Sequence, residues 1–508
     1  MSYYTDIHPI DSPITAQRQQ AKRHYGVHPY FTRRPFNVIR DYILRFSREQ
    51  DCVVDPFGGS GVTAIEAYLE NRNAIHNDIN PLANFIAEGV AGLSNGKTSS
   101  YLEALAQLKA VCQPKIVEME QGDVLSIEKT LQSLPLPENI RLPATSDVEF
   151  YHELFTPRQF AALALLKAKI DEIPDPDSRK GMLLAWSATL AKLNKTFLSA
   201  NGRAASRGGT SIFSIYRYKI AKEPVELLAW ETFEERAFNV IAAKREIDDA
   251  INLKRLIGGW HGSFEARSQD VEELSHDLKG KVDYIFTDPP YGGHISYIDL
   301  SILWTNWLGL APSQEAKQKE IIVGGELKHT EEEYKERLHK SIAACAKMLK
   351  NERWLSVVFQ HWNVAYFEAI LSAAAESGAE LKAAIPQIGD PIWSMHKKKN
   401  KESVLAGELI LTFHKTGAKG QQKNGVEYNL EESIHRILAS SGSEIVYGEY
   451  LFNQAVIDAW KKGAIGSLTV SRDEFTQIIE GFGWHYDAQH HYWFKGERAQ
   501  ASLFDNLP

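Results

Sequence analysis

Asp288-Pro289-Pro290-Tyr291 sets a carboxylate, two nitrogens that cannot donate and an aromatic ring side by side. The apolar run Val282, Tyr284, Ile285, Phe286 predicts a strand that delivers Asp288 to its end, and the two prolines then fix the turn. A carboxylate placed there can accept one N–H of a planar amino group. The proline nitrogens carry no hydrogen, so the backbone carbonyls of the turn are expected to stay free for the second N–H. Tyr291 offers a face on which a base taken out of its stack can lie. The chemistry suggested is work on an exocyclic amine, and the plain alternative is a Pro-Pro turn after a core strand.

A second segment, Cys52-Val53-Val54-Asp55-Pro56-Phe57-Gly58-Gly59-Ser60-Gly61-Val62-Thr63, reads as strand, glycine turn and helix start. Glycines let backbone approach a ligand where a Cβ would clash, and the following helix is expected to begin near Val62. Twenty residues after Gly58, the apolar stretch Ala74-Ile75-His76 leads to Asp78, an acid placed to accept both hydroxyls of a ribose. That spacing marks a nucleoside-type cofactor, although Gly59-Ser60-Gly61-Val62-Thr63-Ala64 also fits a dinucleotide fingerprint. The Gly-Lys-Ser/Thr of an ATP loop is absent from this turn.

Together these two segments resemble the S-adenosylmethionine-dependent DNA amino-methyltransferases that modify adenine N6 or cytosine N4. The resemblance implies that Asp55, Phe57, Gly58, Gly59, Ser60 and Gly61 wrap the methionine part of S-adenosylmethionine, with Phe57 near the sulfonium, and that Asp78 binds the ribose. His28-Pro29-Tyr30-Phe31-Thr32-Arg33-Arg34-Pro35 is similar to the family's H-P-T-x-K-P cofactor segment. It places Thr32 and Arg34 at the cofactor, with arginine where lysine is usual, ahead of a helix through about Ser47. Ser268-Gln269-Asp270 resembles the segment that reads the cofactor's adenine, through Gln269 and Asp270. A long stretch between Asp78 and the next matching strand departs from the family's usual spacing, which leaves the sequence-reading region unassigned.

With 508 residues and 44% hydrophobic content, the chain can bury a full core and is expected to hold two or three domains. No apolar run is long enough for a membrane span and the first residues lack a secretion signal, so a soluble, cytoplasmic protein is expected. Cys52, Cys112 and Cys345 stand apart, which argues against a zinc cluster or a disulfide framework, and no metal is expected. The net charge of −8 hides local basic clusters. Arg18 to Arg48 carries one acid, Asp41, and Lys192 to Lys222 carries none. In the latter, Lys195, Arg203, Arg207, Arg217 and Lys219 interleave with Phe213, Tyr216 and Tyr218, a pattern expected of a nucleic-acid channel. Lys397, Lys398 and Lys399 form a third cluster in an expected hairpin between strands near Ile385 and Leu409. For each cluster the alternative is a solvated face.

The expected architecture is α/β: a doubly wound, Rossmann-like methyltransferase sheet with a large helical insertion and a small C-terminal winged-helix-like module. Residues 1–90 hold the first part of the methyltransferase domain, 91–257 a mostly helical insertion and candidate target-recognition region, and 258–415 the second part. Residues 416–426 read as a linker, and 427–508 as the small module, with Asn429 and Ser471 opening helices and a hairpin over Trp484 to Phe494. His361 and Trp362 are expected at the same sheet edge as Asp288. His490 and His491 are expected at the surface and not at a metal.

The function that the resemblance implies is methyl transfer to an exocyclic base amine of double-stranded DNA, adenine N6 foremost. The base would be flipped, Tyr291 stacked on it, and Asp288 with the Pro289 carbonyl would accept the amine hydrogens. A restriction or phage-defence protein would be a natural partner. An RNA guanine-N2 methyltransferase is the alternative, since Gly292 completes Asp-Pro-Pro-Tyr-Gly. A recognition subunit that binds S-adenosylmethionine and DNA without catalysis is another.

Overall fold

A computed structural model describes residues 3–17, 22–122, 127, 130–198, 209–293, 296–387, 408–418, 426–441, 445–487 and 492–495. Its strands in chain order are β1 (Cys52–Asp55), β2 (Asn73–Asn77), β3 (Phe197–Leu198), β4 (Gly209–Thr210), β5 (Ser263–Arg267), β6 (Val282–Thr287), β7 (Leu349–Phe359), β8 (Ala379–Gln387), β9 (Glu408–Lys415), β10 (Ile445–Tyr447), β11 (Trp484–Asp487) and β12 (Tyr492–Lys495). Seven of them make one sheet in the order β5-β2-β1-β6-β7-β9-β8. The first five in that order run parallel, and β9 pairs antiparallel with both β7 and β8. From β1 the chain winds outward through β2 to β5, then returns to pair β6 on the other side of β1. Such a reversal opens a crevice at the carboxyl ends of the strands, where doubly wound sheets bind ligands.

Strand β6 is buried at all six positions, as expected of a parallel strand covered on both faces. Its side chains alternate between two apolar clusters. Tyr284 and Phe286 join Val53 and helices Phe36–Phe46, Val62–Leu69 and Pro81–Ala91, while Val282 and Ile285 join Val54 and helices Glu331–Met348 and Val364–Glu376. Asp283, facing neither, accepts the Cys52 N–H at 3.0 Å and is paired with Lys350 and Arg353.

The long stretch between β2 and β5 forms helices Thr98–Gln121, Pro157–Asp171, Pro176–Leu190 and Ala229–Ile257. They share the first apolar cluster with the sheet, through Tyr101, Leu163, Trp186 and Trp230. The same stretch is also bonded to the segment that follows the Asp288–Tyr291 turn. Tyr151 Oη donates to the Leu303 carbonyl at 2.5 Å, Tyr218 Oη to that of Leu300 at 2.8 Å, and Trp304 Nε1 to that of Ser187 at 3.0 Å. The stretch thus braces the Tyr297–Leu308 region beside Asp288 through these three hydrogen bonds.

Beyond residue 426, helices Leu430–Ser441, Gly448–Lys461 and Arg472–Gly481 accompany a sheet of order β10-β12-β11. The unit rests on the core through Trp362, whose ring lies 4.3 Å from Phe452 and 5.8 Å from Phe475. Among the described residues no helix is long and apolar enough to cross a membrane.

Candidate active site

At the carboxyl ends of the strands lies a cavity of about 930 Å³ that brings together Thr32, Arg34, the Asp55–Ser60 turn, Asp78, Gln269, Asp270 and the Asp288–Gly292 turn. His361 and Trp362 line it as well.

The glycine turn is shaped first by its own packing. Gly58 donates to the Asn77 carbonyl at 2.8 Å, and a Cβ there would stand 2.1 Å from His76 Nδ1. Gly61 has φ +86° and would press a Cβ to 2.7 Å from Ala87 Cβ. These two glycines therefore answer to the protein's interior, whereas Gly59 (φ +51°) offers its N–H to Asp78 Oδ2 at 2.8 Å. Ser60 Oγ accepts from Arg33 Nε at 3.1 Å, and Arg33 also donates to the His28 carbonyl. Asp55 is buried beneath the turn, accepting from the Thr287 hydroxyl at 2.8 Å and from the Phe57 N–H at 3.2 Å; burial pushes its carboxyl up to about 7.

Asp78 stands at the end of β2, and both its oxygens already have backbone partners, Gly59 N–H on Oδ2 and Asn80 N–H on Oδ1 at 2.8 Å. Burial pushes it up to about 6. A carboxylate oxygen has a second lone pair, so one hydroxyl donor per oxygen still fits. Asn77, just before it, was not singled out by the sequence. Its amide donates to the carbonyls of Pro56 (3.1 Å) and Gln269 (3.0 Å), and its Oδ1 accepts the Gln269 N–H at 3.0 Å. One buried amide thereby fixes the glycine turn against the Gln269–Asp270 segment. Asp270 itself caps helix Val271–Asp277, accepting the Glu272 N–H at 2.9 Å, and Gln269 Nε2 donates to Asp277 at 3.0 Å.

On the opposite wall the arrangement departs from expectation at three points. Arg34, expected among the cofactor contacts, lays its guanidinium on the Asp288–Tyr291 turn. Nε donates to Asp288 Oδ2 at 2.5 Å and Nη2 to Oδ1 at 2.9 Å, with further contacts from Nη2 to Tyr291 Oη and from Nη1 to Glu408. The Pro290 carbonyl is not free: Tyr334 Oη donates to it at 2.5 Å, which leaves that of Pro289 as the acceptor for the turn. Tyr291 donates its hydroxyl to Asp288 Oδ1 at 2.5 Å, with its ring edge-on to Phe359 at 5.2 Å. Glu408 carried no local signal, because it opens β9 far along the chain. His361 is held by the Asn363 N–H on its Nδ1 at 2.8 Å, and burial lowers it to about 4, so it faces the cavity neutral.

The basic stretch 192–222 is not the acid-free surface that it reads as in sequence. Exposed Arg217 pairs with Asp147 at 2.5 Å, Tyr218 is buried, and Phe213 packs on Phe31 and Trp304 at 5.2 and 5.4 Å. Two of the three aromatics expected to stack on nucleic acid are thus spent on the protein's own core, and the third, Tyr216, lines the cavity. Lys195 is half-buried and Lys219 exposed. Arg203, Arg207, Lys397, Lys398, Lys399, His490 and His491 lie outside the described residues.

Residues 4–87 match the family model of the DNA methylases that act at N6 or N4. That part of the chain is similar to the N6/N4 DNA methyltransferases. The chain is 24% identical over 349 residues to the type II methyltransferase M.MjaII of Methanocaldococcus jannaschii, covering 56% of this chain and 62% of that protein. It is 22% identical over 280 residues to the type II methyltransferase M.MvaI of Kocuria varians, covering 53% of this chain and 54% of that one. The matched parts are thus under two thirds of either relative. An antibiotic-resistance methyltransferase, Kmr, aligns over 35% of this chain and 72% of its own at 13% identity, with a TM-score of 0.19, too low to support any argument. The likeness to these methyltransferases implies S-adenosylmethionine as the methyl donor.

Proposed function

We propose that this chain transfers a methyl group from S-adenosylmethionine to an exocyclic amine of a flipped DNA base, with adenine N6 the first base to test. The observation that carries the reading is that one cavity holds the Asp55–Ser60 turn and Asp78 on one wall and the Asp288–Tyr291 turn on the other. The first wall fits the cofactor: a backbone turn with a buried acid at its rim can take an amino acid moiety and a ribose. Gly58, Gly59, Ser60 and Gly61 would hold the former, Asp78 the latter, and Gln269 and Asp270 the adenine. When bound there, S-adenosylmethionine supplies an electrophilic methyl group. Asp288 accepts one amine N–H and the Pro289 carbonyl the other, which turns the nitrogen lone pair out of conjugation with the base. Asp288 is also the acceptor for the proton that the nitrogen loses once methylated. Tyr291 would supply the stacking surface, and the neutral His361 keeps a second positive charge away from the reacting amine.

The deciding experiment is nucleoside mass analysis of DNA and RNA from a methylation-free host that overproduces the chain. N6-methyladenine in DNA is the expected product. N4-methylcytosine would change the base and keep the chemistry, while methylation confined to RNA, or none in either, would overturn the reading.

A further inference from the structure

In the methyl-transfer reading above, on which this inference rests, Asp288 must offer its oxygens to a planar amino group. The structure shows those oxygens taken by a planar cation. The Arg34 guanidinium meets Asp288 through two parallel N–H donors, the geometry that a bidentate arginine–carboxylate pair prefers. The three side chains are well buried, Arg34 at 13%, Asp288 at 22% and Glu408 at 8% exposure, so water does not readily substitute for any of them.

We propose that Arg34 is a displaceable stand-in for the target amine, and that Glu408 is the positioning residue that retains the guanidinium when an exocyclic amine takes its place on Asp288. The guanidinium is sp2, planar and rich in N–H donors, as an aminopurine edge is, and it lies within 5.4 Å of the Tyr291 ring that would face the base. A buried arginine driven off its only carboxylate would be left as an uncompensated charge. Glu408 prevents this, because it already contacts Nη1 and can take over the rest of the fork. Arg34 then acts as a tax on base entry: apparent affinity is the intrinsic affinity reduced by the fraction of molecules in which Asp288 is open. A base without an amine cannot compete for the carboxylate and stays outside.

The test uses the full chain and 2-aminopurine deoxyriboside, a fluorescent probe with an exocyclic amine, whose binding needs no turnover. Arg34→Met keeps bulk and removes the donors, and is expected to tighten the probe at least fivefold. Glu408→Gln is expected to weaken it at least fivefold, while S-adenosylmethionine affinity by calorimetry stays within twofold. In the double variant the Glu408→Gln effect should vanish, since no guanidinium remains to be retained. A merely structural ion pair would instead weaken the probe in both single variants, with the Glu408→Gln loss persisting in the Arg34→Met background, and that result overturns the proposal. If Arg34→Met does not fold, Glu408→Gln decides alone: unchanged probe affinity overturns it. Transfer of labelled methyl to unmethylated plasmid DNA is measured in parallel. Absence of transfer by the unaltered chain would count against the methyltransferase reading, while the probe titrations would still decide the role of Arg34.

Discussion

The two walls of the cavity each present an aspartate at the end of a parallel strand, and the two acids are held in opposite ways. Asp78, after β2, is gripped by backbone N–H groups from Gly59 and Asn80, donors that cannot leave without unfolding the turn. Asp288, after β6, is gripped by the side chains of Arg34 and Tyr291, which can swing away. A site for a ligand shared by every turnover can be preformed, because rigid walls lower the ordering cost of binding. On the proposed reading the second site takes a base that must first leave a duplex, and it has reason to stay closed until an amine arrives. The contrast extends outward, since Asn77 stitches three backbone segments behind Asp78, while behind Asp288 stands a second carboxylate, Glu408.

The largest effect that would test this division is on turnover. Asp288→Ala is expected to cost several orders of magnitude in methyl transfer while S-adenosylmethionine affinity stays within a few fold, measured by calorimetry alongside label incorporation. Retained transfer would show that the amine is held by something else, and the two walls would lose their separate tasks.

The reverse substitution should show the reverse split. Asp78→Ala is expected to weaken S-adenosylmethionine by about 1.5–3 kcal/mol, the scale of hydrogen bonds to a charged acceptor. A pH series sharpens the assignment. Burial raises Asp78 from 3.8 to about 6, so in that interval the folded state binds the extra proton and the charged form needed for the strongest hydroxyl contacts is depleted. In the ligand-free protein the same shift makes Asp78 lower stability as pH rises through this interval. Cofactor affinity should therefore fall as pH drops through about 6, and the Asp78→Asn variant should lose that dependence. A flat profile in the unaltered chain would remove Asp78 from the ribose.

What was legible in the sequence was what the chain writes contiguously. The Asp-Pro-Pro-Tyr turn, the glycine turn and the acid after β2 are each local, and the strands that carry them show in their apolar runs. What was illegible depends on which face a residue takes and on partners far along the chain. Tyr218 and Phe213 interleave with charge as nucleic-acid contacts do, yet the core claims them, because alternation along an irregular loop does not say which side is inward. Arg34 reads as a cofactor residue until β9 folds back with Glu408. The prolines after Asp288 do leave carbonyls without competing donors of their own, but Tyr334, on helix Glu331–Met348, takes one of them.

A smaller effect concerns stability alone. Gly58→Ala would place a Cβ 2.1 Å from His76 Nδ1, in a pocket where the imidazole is fully buried and lies 6.3 Å from Phe264, nearly parallel to it. Overpacking of this kind costs about 1–3 kcal/mol, read as a lowered midpoint in denaturant. If the preformed wall is as rigid as its backbone bonding suggests, cofactor affinity should fall with it. A destabilised variant that bound the cofactor normally would show that the turn adapts, which weakens the contrast with the Asp288 wall.

The smallest expected effect lies outside the cavity and concerns how duplex DNA would be held. Phosphate contacts release counterions, and each true contact on B-form DNA adds about 0.9 to the slope of log affinity against log salt. Arg217 sits beside Asp147, whose carboxylate neutralises it locally and competes with phosphate. Arg217→Ala alone should therefore leave the salt slope unchanged. Replacing Arg203, Arg207 and Arg217 together should lower it by about 0.9 for each of the first two that touches the backbone, with S-adenosylmethionine binding untouched. Filter binding of one duplex at several salt concentrations separates the cases. A slope that falls with Arg217→Ala would mean that Asp147 gives up its arginine to DNA, a displaceable pair like that of Arg34 and Asp288. A slope unmoved by the triple change would shift the DNA contacts to the N-terminal basic segment or to the module that rests on Trp362.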